Sequence, residues 1–236
     1  MDTFAEVFEL LAGPPAVVGL VLTAGAIFLS SHWRLSLAAL LVQYLLLAIV
    51  LTRLVQPELA IVRGLVGMLV VPILYLTARR VDERRPWLDQ DDGGIRFFGV
   101  RLDWNAGALS LPLRILALLL VSLALIRFFP DYTALLPGTV TGSSQVPPDI
   151  AFASLWLAGM GTAGLLLSGD ALRIAPAALT ILVGFDLIYA GLEPNLAVVG
   201  FFGALTLLVS LAFSYLAGIQ VLSGATAGAD EEATEL

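Results

Sequence analysis

The chain contains no cysteine, no lysine and a single histidine, His32. Without cysteine it can form neither a disulfide nor a thiolate-held zinc or iron–sulfur site, and one histidine cannot supply a multi-histidine metal or haem centre. Without lysine it has no residue for a Schiff base or a lysine proton relay, because arginine keeps its proton. It also lacks a nucleotide-binding loop, a Ser/His/Asp set and metal-ligand spacing. We therefore predict no catalytic residue, no metal, no cofactor and no nucleic-acid partner for this chain.

Charged residues are scarce as well. They make up 13% of the chain against 59% for hydrophobic residues, and the mean hydropathy is +0.95, which excludes an ordinary soluble domain. A membrane span needs roughly 20 mostly apolar residues to cross roughly 30 Å of hydrocarbon. A shorter acidic stretch, Thr3 to Leu11, is predicted to lie along the interface. Seven windows are predicted to span: 14–31, 35–55, 57–78, 111–129, 150–168, 171–192 and 194–221.

Two parts of the chain, 16–78 and 151–221, have the same order of features: helix, arginine-bearing turn, helix, proline-led turn, helix. The turn at Trp33-Arg34-Leu35 matches the turn at Leu172-Arg173-Ile174, and the third helices open on PELAIVRGLVG and PNLAVVGFFG. Tandem units of this kind form membrane scaffolds whose functional sites lie between the repeats. The predicted fold is all-α: a polytopic membrane protein of seven transmembrane helices, arranged as two three-helix repeats joined by one helix.

The arginines predict the orientation. The segment from Arg79 to Gly107 carries six arginines, whereas the segment from Pro130 to Asp149 carries none. The positive-inside rule then places the first segment in the cytoplasm and the second outside, in a multi-pass protein of the cytoplasmic (inner) membrane. The N-terminus falls outside and the C-terminus inside. Because one helix separates the repeats, they are predicted to be parallel.

The segments between and after the spans carry the remaining predictions. In the cytoplasmic loop we expect a hairpin that turns at Asp92-Gly93-Gly94, with Ile95 to Val100 as one strand. The segment Arg79–Gly107 is our candidate docking surface for a cytoplasmic partner. The predicted divisions are a first repeat with its interfacial segment at 1–79, a cytoplasmic loop at 80–110, a linking helix at 111–129, an external loop at 130–149, a second repeat at 150–221 and an acidic disordered tail at 222–236.

Polar residues inside the spans are costly and need a reason. Asp186 is the one carboxylate well within a predicted span, and either carries protons or ions or is satisfied near the outer headgroups by water or an arginine. Arg63 lies at a similar depth and is its natural ion-pair partner. Gln43, in the middle of the second helix, either holds helices together by hydrogen bonds or passes protons along a water chain. Glu58 lies at the end of a predicted helix, so a position at the membrane–water interface is the simpler interpretation. These four residues are the candidates for an ion or proton path.

Glycines recur in the predicted spans and are expected to mark close contacts between helices, within this chain or between subunits. The glycines concerned are Gly64, Gly67, Gly159, Gly161, Gly164, Gly200 and Gly203.

The residues also resemble a known family. Two runs are similar to the first half of the hydrogenase-4 component E family: SSHWRLSLAALLVQYLLLAIVL from Ser30 and PELAIVRGLVGMLVVPILYLTARR from Pro57. That family is a larger relative of subunit K of respiratory complex I and of the C subunit of Mrp-type cation/proton antiporters. The stretch from Leu165 to Leu208 resembles the three-helix module of subunit K. The resemblance covers most of the membrane part, and neither the Arg79–Gly107 loop nor the acidic tail.

This resemblance implies a subunit of a complex I-like assembly, such as a membrane-bound hydrogenase, an NADH dehydrogenase or an Mrp-type antiporter. Its partners would be antiporter-like and other membrane subunits, surrounded by membrane lipid. In such modules, acids of the second and third helices help to form a proton path. Here Asp186 lies about one turn beyond the place of the family's glutamate, the last span has no acid, and the second has neutral Gln43. A structural subunit, or one that contributes a single group to a shared path, therefore fits better than a complete relay.

Two alternatives stay open. Parallel three-helix units joined by one helix are also the layout of SWEET and PQ-loop solute transporters, which carry a proline in the first helix of each repeat. In this chain Pro14 and Pro15 precede the first helix, Pro147 and Pro148 precede the fifth, and little polar lining is available for a sugar. The third possibility is a membrane scaffold that transports nothing.

The predicted orientation can be tested by labelling. Because the chain has no cysteine, single cysteines can be placed at Ser143 and at Gly93 without a background signal. An impermeant maleimide added to intact cells should label the Ser143 variant and should label the Gly93 variant only after the membrane is opened. Labelling of both variants from the same side would contradict the parallel-repeat arrangement.

Overall fold

The structure is a computed structural model, which describes residues 13–30, 32–83, 95–97, 100–102, 111–136, 146–168, 171–192 and 195–234. Within these ranges the chain forms seven helices and one small hairpin, which confirms the predicted all-α fold. The helices are α1 (Pro14–Leu29), α2 (Trp33–Leu51), α3 (Pro57–Glu83), α4 (Leu111–Leu135), α5 (Pro148–Leu167), α6 (Ala171–Leu192) and α7 (Leu196–Thr234), and the hairpin strands are β1 (Ile95–Phe97) and β2 (Val100–Leu102).

The helices have the length and composition of membrane spans. Six of them, α2 to α7, are long and apolar enough to cross a bilayer. Helix α1 is apolar but has 16 residues, which is about 24 Å at 1.5 Å per residue and shorter than an ordinary span. The chain is therefore a multi-pass membrane protein, and each of the seven predicted windows coincides with a helix.

Proline and asparagine define several helix starts. Helices α1, α3 and α5 begin at Pro14, Pro57 and Pro148, where proline suits the first turn because the backbone N–H that it lacks would have no partner there. At the start of α7 the backbone N–H of Ala197 donates to Oδ1 of Asn195 over 3.2 Å, as a helix cap does. The proline-led turn that predicted the third helix of the first repeat thus acts through helix initiation, whereas Pro194 of the second repeat lies outside the described residues.

Each repeat forms a row of three helices, and the two rows face each other. Helix α2 packs between α1 and α3, and α6 packs between α5 and α7. Across the interface each helix meets its counterpart: α1 meets α5, α2 meets α6 and α3 meets α7. Matched helices of a duplicated unit therefore build the interface between the repeats, and any site at that interface takes residues from both.

Helix α4 stands outside the two rows. It packs along α5 and α1, and only 6% of its apolar window is buried, against 61% for α6. Leucines of α2, α5 and α6 fill the space between the rows, including Leu40, Leu157 and Leu179, each of which is fully buried. The core thus lies between the repeats, whereas α4 presents most of its surface to the surrounding lipid or to a neighbouring protein.

The C-terminal part of the chain differs from the expectation. Helix α7 continues to Thr234, so residues 222–234, predicted as a disordered tail, are helical. Extending a formed helix needs no new nucleus, and the Ala-Asp-Glu-Glu-Ala sequence contains good helix formers. Helices α3 and α4 also run further than predicted, to Glu83 and Leu135, the latter continuing through Pro130.

A hairpin forms in this part of the chain, with bounds that differ from the prediction. Ile95–Phe97 pairs antiparallel with Val100–Leu102, with Phe97 opposite Val100. Ile95 and Val100 therefore lie in two strands and not in one. The predicted turn at Asp92-Gly93-Gly94 lies outside the described residues.

Several of the predicted glycines mark contacts within the chain. A Cβ at Gly161 would lie 2.7 Å from the backbone oxygen of Ala177, and one at Gly164 would lie 3.0 Å from the Cβ of Ala177. Gly200 is the exception, since nothing lies within 4 Å of the place where its Cβ would be. The glycines at the α5–α6 contact thus let two backbones approach closely, whereas Gly200 faces away from the chain.

A substitution at Gly184 should separate α5 from α6. A Cβ there would lie 2.8 Å from the backbone oxygen of Ser154 and 2.9 Å from the backbone nitrogen of Ala158, and backbone atoms cannot move aside as a flexible side chain can. We expect Gly184→Ala to lower the free energy of unfolding by about 1–3 kcal/mol, measured by thermal unfolding in detergent. The matched control is Gly200→Ala, which should leave stability unchanged or raise it slightly. Equal melting temperatures for the two variants would contradict the close α5–α6 contact.

Candidate functional site

An arginine and an aspartate meet in the buried interface between the repeats. Helix α3 places Arg63 six residues after Pro57, and α6 places Asp186 six residues before Leu192, so both lie about 9 Å from the same end of the bundle. Both residues are fully buried. The N-terminal third of α3 and the C-terminal third of α6 thus bring opposite charges together from two different repeats.

The pair is held by direct hydrogen bonds. Arg63 Nε donates to Asp186 Oδ2. Arg63 Nη2 donates to Thr206 Oγ1 of α7 over 2.9 Å, and Thr206 Oγ1 donates to the backbone oxygen of Phe202 over 2.6 Å. The predicted pairing of Arg63 with Asp186 is confirmed, and the structure adds Thr206 as a third member. The two charges therefore neutralise each other inside the protein.

Tyr44 forms one wall of this centre. The guanidinium carbon of Arg63 lies 5.9 Å from the centroid of the Tyr44 ring, within the range of a cation–π contact. Tyr44 can occupy this position because Gly67, on the facing side of α3, has no side chain: a Cβ there would overlap the tyrosine. Gly67 thus serves the packing of the charged centre, which the sequence pattern indicated only as a close helix contact.

Gln43 and Thr180 form a second polar contact between the repeats. Both are buried, and Thr180 Oγ1 lies 3.4 Å from Gln43 Oε1. The same hydroxyl donates to the backbone oxygen of Pro176 over 2.8 Å, a carbonyl one turn earlier in α6. Gln43 and Thr180 thus bring polar atoms of α2 and α6 close together between the repeats. The two roles predicted for Gln43, in helix packing and in a water chain, stay predictions.

Four buried polar atoms around the centre have no hydrogen-bond partner among the protein atoms of the described residues. They are Asp186 Oδ1, Arg63 Nη1, Tyr44 Oη and Gln43 Nε2. Buried polar atoms in proteins almost always have partners, and water supplies many of them. Asp186 accepts the hydrogen bond of Arg63 with Oδ2, so its Oδ1 can accept another hydrogen bond. The centre can therefore accept a hydrogen bond from water or from a moving proton carrier while the ion pair stays formed.

A cavity lies between the repeats at one end of the bundle, and Gln43, Tyr44, Arg63 and Asp186 are not among its lining residues. It opens where α2 and α6 begin, is lined there by His32 and Arg173, and extends to Ser36 and Thr180. Its volume is about 30 Å³, which is room for one or two water molecules. Thr180 lines the cavity and also lies close to Gln43, so a polar residue of α2 lies just beyond the cavity.

Glu58 does not join the centre. It is exposed at the end of the bundle nearer to the centre and opposite to the cavity, in an open groove with Gln56 and Asn195 between the α2–α3 and α6–α7 turns. Nearby, Arg53 Nη1 lies 2.7 Å from Asp149 Oδ2 in a half-exposed ion pair. The structure thus brings Arg63, Asp186 and Gln43 to one region and leaves Glu58 at the surface. Sequence analysis missed Thr180 and Thr206, whose only signal is a hydroxyl within an apolar span.

Removing one member of the charge pair should destabilise the protein strongly. Asp186→Asn keeps the shape of the side chain but leaves Arg63 with an unpaired charge in a medium that solvates it poorly, so we expect a loss of roughly 3–5 kcal/mol in the free energy of unfolding. The double variant Arg63→Gln with Asp186→Asn should recover part of this loss, because neither charge remains. Thermal unfolding in detergent measures the stability of the single and the double variant.

The control is the half-exposed Arg53–Asp149 pair. The variant Arg53→Gln with Asp149→Asn also removes an arginine–aspartate contact, but should change stability by about 1 kcal/mol or less because the pair is partly solvated. A single Asp186→Asn variant as stable as the native protein would contradict the interpretation of Arg63–Asp186 as a buried pair.

Comparison of the chain with models of protein families, with curated proteins and with solved structures found no match.

Proposed function

We propose that this chain is an integral membrane subunit of a complex I-like assembly, and that it contributes one ionisable centre to a proton or cation path shared with neighbouring subunits. The observation that carries the proposal is the fully buried Arg63–Asp186 pair between the two repeats. The resemblance of both repeats to the component E and subunit K families suggests the type of assembly.

Stabilisation of the fold alone is a poor explanation for burying this ion pair. Removing two charges from water costs several kcal/mol per ion, and well-packed apolar side chains would often stabilise the same contact as well or better. Charged residues inside membrane spans are rare and commonly line ion or proton pathways. Oδ1 of Asp186, which has no partner among the described residues, gives the centre a place for a water molecule or a passing proton.

A proton would approach Asp186 from the end of the bundle where α2 and α6 begin. The cavity there extends to Thr180, Thr180 contacts Gln43, and Gln43 precedes Tyr44 of the charged centre. Hydroxyl and amide groups can hand protons along a water chain but cannot store them. Storage therefore falls to Asp186, and Arg63 adjusts the stability of its charged form.

This chain does not form a complete relay. Among the described residues Asp186 is the one buried carboxylate, and Glu58 is exposed in the groove at the other end. A continuous path needs further groups beyond Asp186, so these would come from a neighbouring subunit. Helix α4 and the outer faces of α3 and α7 are apolar and exposed along much of their length, which leaves ample surface for such neighbours.

The cavity that reaches Thr180 is too small for the sugar of a SWEET-like transporter, whereas the open groove beside Glu58 is larger and keeps that alternative open. A volume of about 30 Å³ accommodates one or two water molecules and not a sugar. A scaffold that transports nothing is a further candidate, and it is separated from our proposal by the transport measurement below.

Purification from native membranes tests the assembly. The tagged chain in mild detergent should bring antiporter-like membrane subunits with it, and mass spectrometry identifies them.

If the segment Arg79–Gly107 docks a cytoplasmic partner, shortening it should release that partner while the helices stay folded, because their spans are stabilised by the bilayer and by each other. Recovery of the chain alone would contradict the proposal. Retention of all partners after the deletion would locate docking on the helix faces.

In the same purified assembly, reconstituted in vesicles, the double variant Arg63→Gln with Asp186→Asn should lower proton translocation. The double variant is preferred because it leaves no unpaired charge to disturb assembly. The control Arg53→Gln with Asp149→Asn removes a similar pair outside the centre and should translocate normally. Normal translocation by an assembled double variant would leave the scaffold as the function of this chain.

A further inference from the structure

An exposed arginine lies on α4, outside the two rows of helices. The side chain of Arg127 is exposed, and among the described residues it has neither a hydrogen-bond partner nor an ion-pair partner. Residues 137–145, which follow α4 in the sequence, contain no aspartate or glutamate. Charged side chains within membrane spans are rare and nearly always paired or in contact with water. Arg127 therefore requires a partner that the described residues do not supply.

Arg127 lies well inside the membrane span. Leu125 and Phe129, two residues to either side of it, lie against Gly159 and Phe152 of α5. Arg127 is thus level with residues about seven or eight places after the start of α5, roughly 11 Å from that end of the bundle at 1.5 Å per residue. This depth is close to that of the charged centre between the repeats, and it is below the level of the headgroups.

The headgroups at the nearer end of the bundle are a poor partner for this side chain. In an α-helix the Cα–Cβ bond tilts toward the N-terminus, and long side chains lie over the preceding turn. For Arg127 this direction leads toward Leu123 and the middle of the membrane, because α4 starts at the opposite end, where Arg114 contacts Ser30. A carboxylate on a neighbouring helix at equal depth can be reached without bending the side chain back.

The face of α4 that carries Arg127 points away from the rest of the chain. Leu125 belongs to the stripe of α4 that packs against the core. Arg127 follows it by two residues, which is a rotation of about 200° around the helix axis. The outward stripe is spaced by three and four residues, as in helices that pack side by side. Its members are all exposed: Leu113, Leu116, Leu120, Leu123 and Arg127.

The charge of Arg127 decides which helix fits on the outward stripe. A second copy of the chain, in the same membrane and with its α4 parallel, would bring Arg127 against the same arginine and repel it. Asp131 lies one turn nearer the end of the bundle and forms no ion pair with Arg127 among the described residues. A helix of a different subunit with a carboxylate at the depth of Arg127 satisfies the guanidinium through two parallel hydrogen bonds.

We propose that the outward stripe of α4 is the docking site for a transmembrane helix of a different subunit, which places an aspartate or glutamate against Arg127. The leucines of the stripe pack against that helix, and the ion pair fixes its depth and its identity. The inference rests on the membrane assembly proposed above, although not on the proton path through it.

The first test uses the full chain in its native membranes. The photoreactive residue p-benzoylphenylalanine replaces Leu123 on the outward stripe or, as the matched control, Leu208, which is 64% exposed on α7. The Leu123 position should become attached to a transmembrane peptide of another subunit that contains an aspartate or glutamate, identified by mass spectrometry. The Leu208 position should not become attached to that peptide.

The other possible occupants of the stripe are outcomes of the same test. Adducts of the Leu123 position with lipid alone, with a second copy of the chain or with its own acidic residues 1–12 would each overturn the proposal. Attachment of the Leu208 position to the same peptide would overturn it as well, because docking would then not be specific to α4.

Charge reversal tests the ion pair itself. Arg127→Glu should lower the amount of that subunit retained in mild detergent roughly tenfold or more, because it brings two carboxylates together. Replacing the identified carboxylate of the subunit by arginine should then restore retention. The matched control is Asp131→Asn, which removes another exposed charge of α4 and should retain the subunit. Normal retention by Arg127→Glu, or no recovery in the exchanged pair, would overturn the proposal.

A stability measurement separates docking from folding. Arg127→Gln in the isolated chain should melt at the native temperature in detergent, since Arg127 has no partner among the described residues. A lower melting temperature would assign Arg127 a role within the chain and overturn the proposal. Recovery of the native chain without any subunit would overturn the proposed assembly, whereas equal retention by the native chain and by Arg127→Glu would overturn the docking site alone.

Discussion

Hydrocarbon offers no partner to a polar group, so every charge inside the bundle has to be satisfied by the protein itself. Arg63 and Asp186 satisfy each other, and neither could be buried in this position without the other. Because they come from α3 and α6, their contact requires a fixed register between the two repeats. A slide of one helix by a single turn would move the charges about 5.4 Å apart along the axis and leave both unsatisfied. The pair therefore fixes how the repeats are positioned relative to one another.

Glycines allow the close helix contacts that bring Arg63 and Asp186 together. Gly67 leaves the space that the Tyr44 ring fills beside Arg63, and Gly161 and Gly184 let the backbones of α5 and α6 approach each other. Without the first glycine the aromatic wall of the centre would be displaced. Without the other two, α6 would move away from α5 and carry Asp186 with it. In a membrane, where burial of apolar surface does not favour one helix contact over another, this shape fit decides which faces meet.

The sequence predicted the helices well, because a span of roughly 20 apolar residues is a constraint imposed by the bilayer and needs no tertiary information. It also predicted the pairing of Arg63 with Asp186, since two opposite charges at equal depth have few other partners. It could not predict Thr206 or Thr180, because hydroxyls are common in spans and only the rotation of α6 and α7 shows which of them face the interface. The helical continuation to Thr234 was missed because an acidic, glycine-containing segment resembles a solvated tail when its attachment to a formed helix is ignored.

The two repeats have the same order of helices but differ in their charged residues, and this difference bears on function. When the third helices are aligned at Pro57 and Pro194, the position of Arg63 corresponds to Gly200, which has open space around it. When the second helices are aligned at their turn arginines, Asp186 corresponds to the buried Leu47. The interface therefore holds one charged centre and not a symmetric pair of them. One charged centre between duplicated halves is enough for a subunit that supplies a single group to a larger path.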